Sequence, residues 1–537
     1  MRLDRFHRVR RIAMALSAIL VSACGGGGAA PPPPVSPGLV TTRVSGPTPF
    51  APNCNGAAQT GTLYPDAEVE PYVAINPASP ANLIGVWQQD RWSNGSSQGL
   101  GLAVSFDGGQ NWALRATPLF SRCSGAVAGS VGDYQRATDP WVSIAPDGTA
   151  HQIALGATGG VFQAGSASAI LASRSVDGGS TWSTPIALIA DGMQFFNDKE
   201  SITADRTSPA FVYATWDRIA ASGGGPTYFA RTVDGGLSWQ PARAIYDPGT
   251  RSQTIGNRIV VLPDGTLVLA FTQIDQAANG SFTAFYAVIR SADHGDTWSA
   301  PIRVADAMAL GARDPDTGAP IRDGSTLTEI AAGTNGQLAM VWQDARFSSG
   351  QVDGIAFSRS SDGGLTWSVP FRVNGAPAFA AFTPTIFIAD NGSYGVSYYD
   401  FRENTSDNRT LPTSYWLTVS PDAVNWSERK IDGPFDLAFA PNAEGLFLGD
   451  YQSGVQVDTD LLLFFVRTNP DLANRTDVRS VRTPFAPAGT IRQATAKAEP
   501  LSADFAATPL FKARVSDMLE REVGEGRQPR RAFRKRR

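Results

Sequence analysis

The sequence predicts an all-β protein assembled from similar four-stranded units. Two observations carry this. One short phrase occurs five times, as Ser105–Trp112 (SFDGGQNW), Ser175–Trp182 (SVDGGSTW), Thr232–Trp239 (TVDGGLSW), Ser291–Trp298 (SADHGDTW) and Ser360–Trp367 (SSDGGLTW). A worn sixth copy, Ser420–Trp426, is one residue short. Copies roughly 57–70 residues apart mark an array of like units. The second observation is a strand order that recurs around each copy: a strand of alternating apolar residues, a turn such as Pro146-Asp147-Gly148, a more apolar strand such as Leu338–Trp342, then a third strand leading into the phrase and a fourth leaving it.

The phrase itself reads as a turn. Asp bonds its own backbone a few residues on, and Gly-Gly supplies positive φ without steric cost. The box aspartates Asp107, Asp177, Asp234, Asp293 and Asp362 are therefore structural.

The remaining segments follow in chain order. Arg2, Arg5, Arg8, Arg10 and Arg11 precede an apolar run, Ile12 to Val21, too short to span a bilayer. Residues 1–24 read as an export signal whose Val21-Ser22-Ala23-Cys24 resembles a bacterial lipobox, with Cys24 as the lipidated residue. That resemblance implies an outer-membrane lipoprotein of the cell envelope, held to the membrane only by its N-terminal lipid. Residues 25–40, with Gly25–Gly28 and Pro31–Pro34, form a tether. Cys54 and Cys123 are a candidate disulfide in an oxidising compartment, or two free thiols. Three histidines, one of them in the signal, leave no zinc pattern, and a net charge of −4 gives no reason to expect nucleic acid. Residues 41–490 hold the repeat. Residues 491–537, ending in a basic run, read as a polar, solvated, disordered tail.

The repeated phrase is identified as the Asp box, or bacterial neuraminidase repeat, so the chain resembles the sialidase-like β-propellers over roughly residues 65–470. The resemblance implies four-stranded blades arranged in a ring. Strand counting favours seven blades over six, with residues 41–44 supplying the outer strand that closes the ring.

In such a ring the Asp boxes share one face. First-strand starts and second-strand ends share the other. First-strand starts carry Glu70, Asp139, Glu200, Glu329 and Asp450. Second-strand ends carry Asp90-Arg91, Asp217-Arg218, Asp344 with Arg346, and Asp400 with Arg402, beside glutamines and aromatics. Carboxylates, guanidiniums and aromatic faces suit a glycan, since Arg forks grip carboxylates. The same Asp/Arg pairs also suit an architectural network between blades.

The family resemblance implies a sialidase-like glycoside hydrolase that removes terminal acidic sugars, using a Tyr nucleophile with a Glu base, an Asp acid and an arginine clamp. Tyr398, Tyr399 and Tyr451 are the nucleophile candidates, Glu329 and Glu200 the bases, Asp90 and Asp139 the acids, and Arg91, Arg258 and Arg402 the clamp. The family's Arg-Ile-Pro opening is replaced here by Glu70-Pro71. No cofactor is required, although clustered carboxylates also suit Ca²⁺. A non-catalytic propeller binding glycans or proteins stands as the alternative.

Overall fold

The computed structural model describes residues 39–487, 491–493 and 509–527. The signal, Cys24 and the tether up to residue 38 lie outside them. The chain is almost all β. Strands Val69–Ile75, Leu83–Trp92, Ser97–Ser105 and Ala113–Leu114 pair in order as an antiparallel meander. A second meander, Arg136–Ile144 to Ile186–Gly192, joins the first through Ser97 facing Ala137. Four-stranded sheets follow, opening at Phe195–Ala204, Ser252–Val261 and Glu329–Ala332. A fifth strand, Ile491–Gln493, extends the sheet that opens at Ala381–Ile388. In the last sheet Ser453–Val457, Asp460–Asp471 and Asn474–Pro484 are joined by the N-terminal strand Thr42–Arg43, which pairs with Ser480 and Arg479.

The opening strand of each meander packs against the opening strand of the next, and Ser453–Val457 packs against Val69–Ile75. Second strands lie between two partners and are buried throughout, as Leu338–Asp344 shows. A strand covered on both faces needs a continuous apolar run rather than alternation. Trp87, Trp216 and Trp342 fill these strands at 0–1% exposure. Cys54 and Cys123 are disulfide-bonded. Among the described residues no helix is long and apolar enough to cross a membrane.

The Asp boxes form the turns expected of them. In the third copy Thr232 Oγ1 donates to Asp234 Oδ1 (2.7 Å) and accepts from Gly236 N (3.0 Å), while Asp234 accepts from Ser238 N (2.9 Å) and Ser238 Oγ (2.6 Å). These hydrogen bonds, led by the one from Ser238 Oγ, hold the Asp234 carboxylate down at about 2. In the fourth copy His294 takes the left-handed position that Gly holds in the other copies. We expect Thr232→Val to cost about 1–3 kcal/mol in urea denaturation, because it strands the buried Gly236 N–H. A loss under about 0.5 kcal/mol would show that the hydroxyl does not hold the turn.

The tail differs from expectation. Pro509–Arg527 is a helix, and Phe511, Val515, Met518 and Leu519 bury against Phe282, Ala284, Leu310 and Ala345. Ser516 Oγ accepts from Phe282 N (2.8 Å), and Arg514 donates to Gly350 O (2.5 Å). The apolar spacing i, i+4, i+7, i+8 is helical. The charges around it masked that period. The basic run from residue 528 lies outside the described residues.

Candidate functional site

Strand register fixes which residues share an end. In the first meander Leu83 faces Ser105, at the Asp box, while Arg91 faces Ser97 and Val69 faces Gln88. Eight residues of strand separate Leu83 from Arg91, roughly 26 Å. The acids therefore gather at the end away from the boxes.

A local irregularity aims them. The opening strands bulge at one place: between Val69 and Tyr72, Thr138 and Trp141, Asp198 and Ser201, Ile255 and Arg258, and Phe382 and Thr385. Each bulge holds a residue at positive φ, namely Glu70 (54°), Asp139 (52°), Lys199 (50°), Gly256 (69°) and Thr383 (48°). A non-glycine residue there costs about 1–2 kcal/mol. Bulges re-aim side chains and concentrate beside active sites. Three consecutive units spend that strain on charged residues, so the array of like units becomes asymmetric at this point.

The three side chains meet residues of the last unit. Lys199 Nζ lies 2.5 Å from Asp450 Oδ2 and 3.5 Å from Glu70 Oε1. Arg322 Nη2 reaches the same Asp450 oxygen at 3.0 Å. Gln88 Nε2 bridges Glu70 and Asp139, with 3.1 Å to Asp139 Oδ1, and its carbonyl oxygen accepts from Arg91 Nη1 (2.5 Å). Tyr451 packs beside Trp141 (5.3 Å between ring centres) and points its hydroxyl at Pro140 O (3.4 Å). Glu200 is 1% exposed, and neither of its carboxylate oxygens meets a hydrogen-bond partner among the described residues. Solvent reaches the cluster beside Arg322 and Lys199, whose side chains are 21% and 11% exposed.

Burial and neighbouring charge split the acids into two kinds. Desolvation, then the Asp139 charge, push Glu70 and Glu200 well above the carboxylate range. Desolvation would raise Asp139 as well, but Lys199 and a hydrogen bond from Glu70 bring it below its usual value. Asp450 is likewise held low against its burial, by Arg322 and Lys199. Asp198 rises to about 7, through burial and then Asp139. Burial and the surrounding carboxylates raise the Tyr451 phenol. Burial, then Arg322, lower Arg91 to about 10. Neutral and ionised carboxyls side by side are the arrangement that acid–base chemistry uses.

Several expected site residues fall elsewhere. Asp90 is saturated by Thr48 Oγ1 (2.6 Å), Asp66 N (2.9 Å) and Gln98 Nε2 (2.7 Å), so it holds the N-terminal segment. Tyr399 is 1% exposed among Phe382, Tyr415 and Phe435, and its hydroxyl is used by Val466 O (2.7 Å) and Val466 N (3.1 Å). Arg346 pairs with Asp344 (2.7 Å), and Arg402 with Asp400 (2.5 Å) and Glu428 (2.5 Å). Tyr398 joins that last group through Glu428 and Arg402. Arg218 forks onto Asp191 (2.9 and 2.7 Å), and Asp217 accepts from Asn257 and Gly256 N. These are the architectural pairs: each charge is spent on its own unit or the next. Arg258 and Glu329 form an ion pair below Tyr72, whose hydroxyl accepts from Arg258 Nη2 (2.8 Å). They adjoin the cluster without entering it.

Lys199, Arg322 and Asp198 were not singled out from sequence. Arg322 belongs to a long connection pinned by two buried acids. Asp353 accepts from Leu310 N (2.9 Å) and Gly311 N (2.9 Å), and Asp323 from Ala312 N (2.5 Å). Burial, then Asp323, raise Asp353 to about 8. A folded pKa above the unfolded one gives stability that is complete below about pH 4 and is lost as pH rises through 8. Asp353→Asn should therefore flatten the decline in denaturation free energy between about pH 4 and 8. An unchanged slope would remove Asp353 as its source. Among the described residues no group of three or more His, Cys, Asp or Glu is placed to hold a metal ion.

Fold and boxes together define an Asp-box repeat protein. Residues 227–457 match the family model described as a BNR repeat-like domain. No curated protein matches the sequence. Among solved structures, an α-L-arabinofuranosidase from Fusarium graminearum with an iminosugar inhibitor is 12% identical, with 83% of this chain and 97% of that one covered and a TM-score of 0.43. An α-L-arabinanase from Penicillium chrysogenum with arabinobiose is 13% identical, covering 83% and 99%, with a TM-score of 0.44. Trypanosoma rangeli sialidase with sialic acid is 14% identical, covering 72% and 59%, with a TM-score of 0.40. No residue role is carried over from them.

Proposed function

We propose that the protein is a glycoside hydrolase that removes terminal acidic sugars at the Glu70–Asp139–Lys199–Glu200–Asp450–Tyr451 cluster. The observation that carries this is the asymmetry of the bulges, which spend left-handed strain on charged side chains in three consecutive units. In this reading Lys199 and Arg322 receive the sugar carboxylate. Tyr451 attacks the anomeric carbon and gives its phenol proton to Asp139, the acid held ionised. Glu200, neutral and unpartnered, protonates the leaving oxygen. Water then cleaves the tyrosyl–sugar bond, returning a proton to Glu200, and Asp139 returns its own to Tyr451. This reverses two expectations: Glu200 serves as acid rather than base, and Asp139 as base rather than acid, because burial keeps the first neutral and Lys199 keeps the second charged. No cofactor takes part.

The ring belongs to the same proposal. Seven meanders make seven blades, and Thr42–Arg43 closes the circle. So does the lipid anchor at Cys24 in the bacterial envelope: full-length protein should take up radiolabelled palmitate, and Cys24→Ala should not. Equal labelling of both would sink the anchor.

The test of the activity is a panel of fluorogenic sialosides, uronides and arabinofuranosides. Turnover of an acidic glycoside that Tyr451→Phe abolishes supports the proposal. Saturable glycan binding without turnover would instead make the protein a binding module.

A further inference from the structure

A cavity of about 250 Å³ lies between the opening strands, bounded by Tyr72, Ser143, Thr203, Arg258 and, at its mouth, Arg206. It is separate from the acidic cluster. Ser143 lies four residues beyond Asp139 toward the Asp-box end, roughly 13 Å along the strand. The partition between the two is Tyr72, whose ring lies on Trp141 (3.9 Å) and whose hydroxyl is held by Arg258, itself paired to Glu329.

The polar groups of this cavity have capacity to spare. Ser143 Oγ accepts from Ala204 N (2.9 Å), which leaves its hydroxyl proton to donate. Thr203 Oγ1 donates to Ile259 O (2.9 Å), which leaves its lone pairs to accept. Arg206 is exposed, and its guanidinium makes one long bond, 3.5 Å, to Gly333 O. Val142, Ile202 and Ile259 supply apolar wall between these groups. A site with mixed polar and apolar walls suits a small polar ligand with an apolar face. Its volume is that of one small molecule. An exposed guanidinium at the mouth selects a carboxylate, and a hydroxyl donor beside a hydroxyl acceptor selects an alcohol-bearing body.

We infer that this cavity is a second binding site, for a single hydroxylated carboxylate of monosaccharide size, entered from the Asp-box end. It needs no catalysis at the acidic cluster, so it stands or falls apart from the proposed activity.

The experiment is calorimetric titration of the full chain with glucuronate, and with glucose as the uncharged control. It is run on wild type, on Glu70→Gln, which alters the acidic cluster, and on Arg206→Ala and Thr203→Val, which alter the cavity. The expected result is a saturable glucuronate site that is kept in Glu70→Gln and weakened about tenfold or more in Arg206→Ala, with glucose binding weaker there. Thr203→Val keeps side-chain shape, so a loss there with unchanged melting temperature reports the hydroxyl. No saturable binding by wild type overturns the inference. So does binding lost in Glu70→Gln but kept in Arg206→Ala, which would place glucuronate in the acidic cluster. Tight glucose binding that Arg206→Ala leaves unchanged overturns the choice of an acid.

Discussion

Asp139→Asn should lower turnover of an acidic glycoside by a factor of about 10²–10⁴, the usual worth of a positioned acid or base. Asn keeps the shape and can still meet Gln88, but it cannot take a proton. The loss should fall on kcat more than on KM, because the carboxylate-holding groups, Lys199 and Arg322, remain. The pH profile supplies an independent reading. Glu200 is raised by burial and then by Asp139, so the alkaline limb, where Glu200 loses its proton, should lie well above the ordinary Glu range. Removing the Asp139 charge lowers that limb as well as the plateau. Tyr399→Phe is the control. Its hydroxyl serves only Val466 in a neighbouring sheet, so it should cost about 1 kcal/mol of stability and leave activity per folded molecule unchanged. Equal activity of Asp139→Asn and wild type would remove the cluster from the chemistry. An equal fall in Tyr399→Phe would show that loss of packing, not of a base, is being measured.

The boxes, the strand order and the separation of the two ends were legible because they repeat or follow from register. The site was legible only in part. Glu70, Asp139, Glu200 and Asp450, with neighbouring Tyr451, were candidates because first-strand starts carry acids, and the structure brings them together. The bulges that collect them were hidden, because one left-handed residue changes no periodicity. Glu70-Pro71 and Asp139-Pro140 were the available trace, since Pro is tolerated where a ladder bond is already lost. Lys199 sits inside Asp198-Lys199-Glu200, which reads as an ordinary charged connection. Arg322 comes from an insertion outside the repeat. The candidates outside the cluster share a different signature. Asp344 with Arg346 and Asp400 with Arg402 lie two residues apart, close enough to satisfy each other locally. Their nearness in sequence is itself evidence that neither is free for a ligand.

Lys199 separates the cost of charge from the cost of backbone. Lys199→Met leaves Asp139 without its main cation and gives Asp450 only Arg322, in a buried cluster already rich in carboxylates. Breaking a buried pair from one side costs about 3–5 kcal/mol, and Arg322 places this case toward the lower end. The sign with pH is fixed by Lys199 itself. Burial would lower its pKa, but Asp139, Asp450 and Glu70 raise it well above the usual Lys value. Its contribution is therefore whole below the unfolded Lys pKa and is lost only as pH rises through the folded one. A denaturation measurement at pH 7 reads all of it. Lys199→Gly removes the same ammonium but also relieves the left-handed backbone at φ 50°. Gly should therefore be more stable than Met by about 1 kcal/mol, although Gly destabilises an ordinary strand position. Acidification should restore part of the loss in both variants, as the unpaired carboxyls take up protons. If Met proves more stable than Gly, the bulge is unstrained and the charged bulges carry no energetic cost. If neither variant loses more than about 1 kcal/mol at pH 7, the ammonium is not what holds Asp450 and Asp139 ionised.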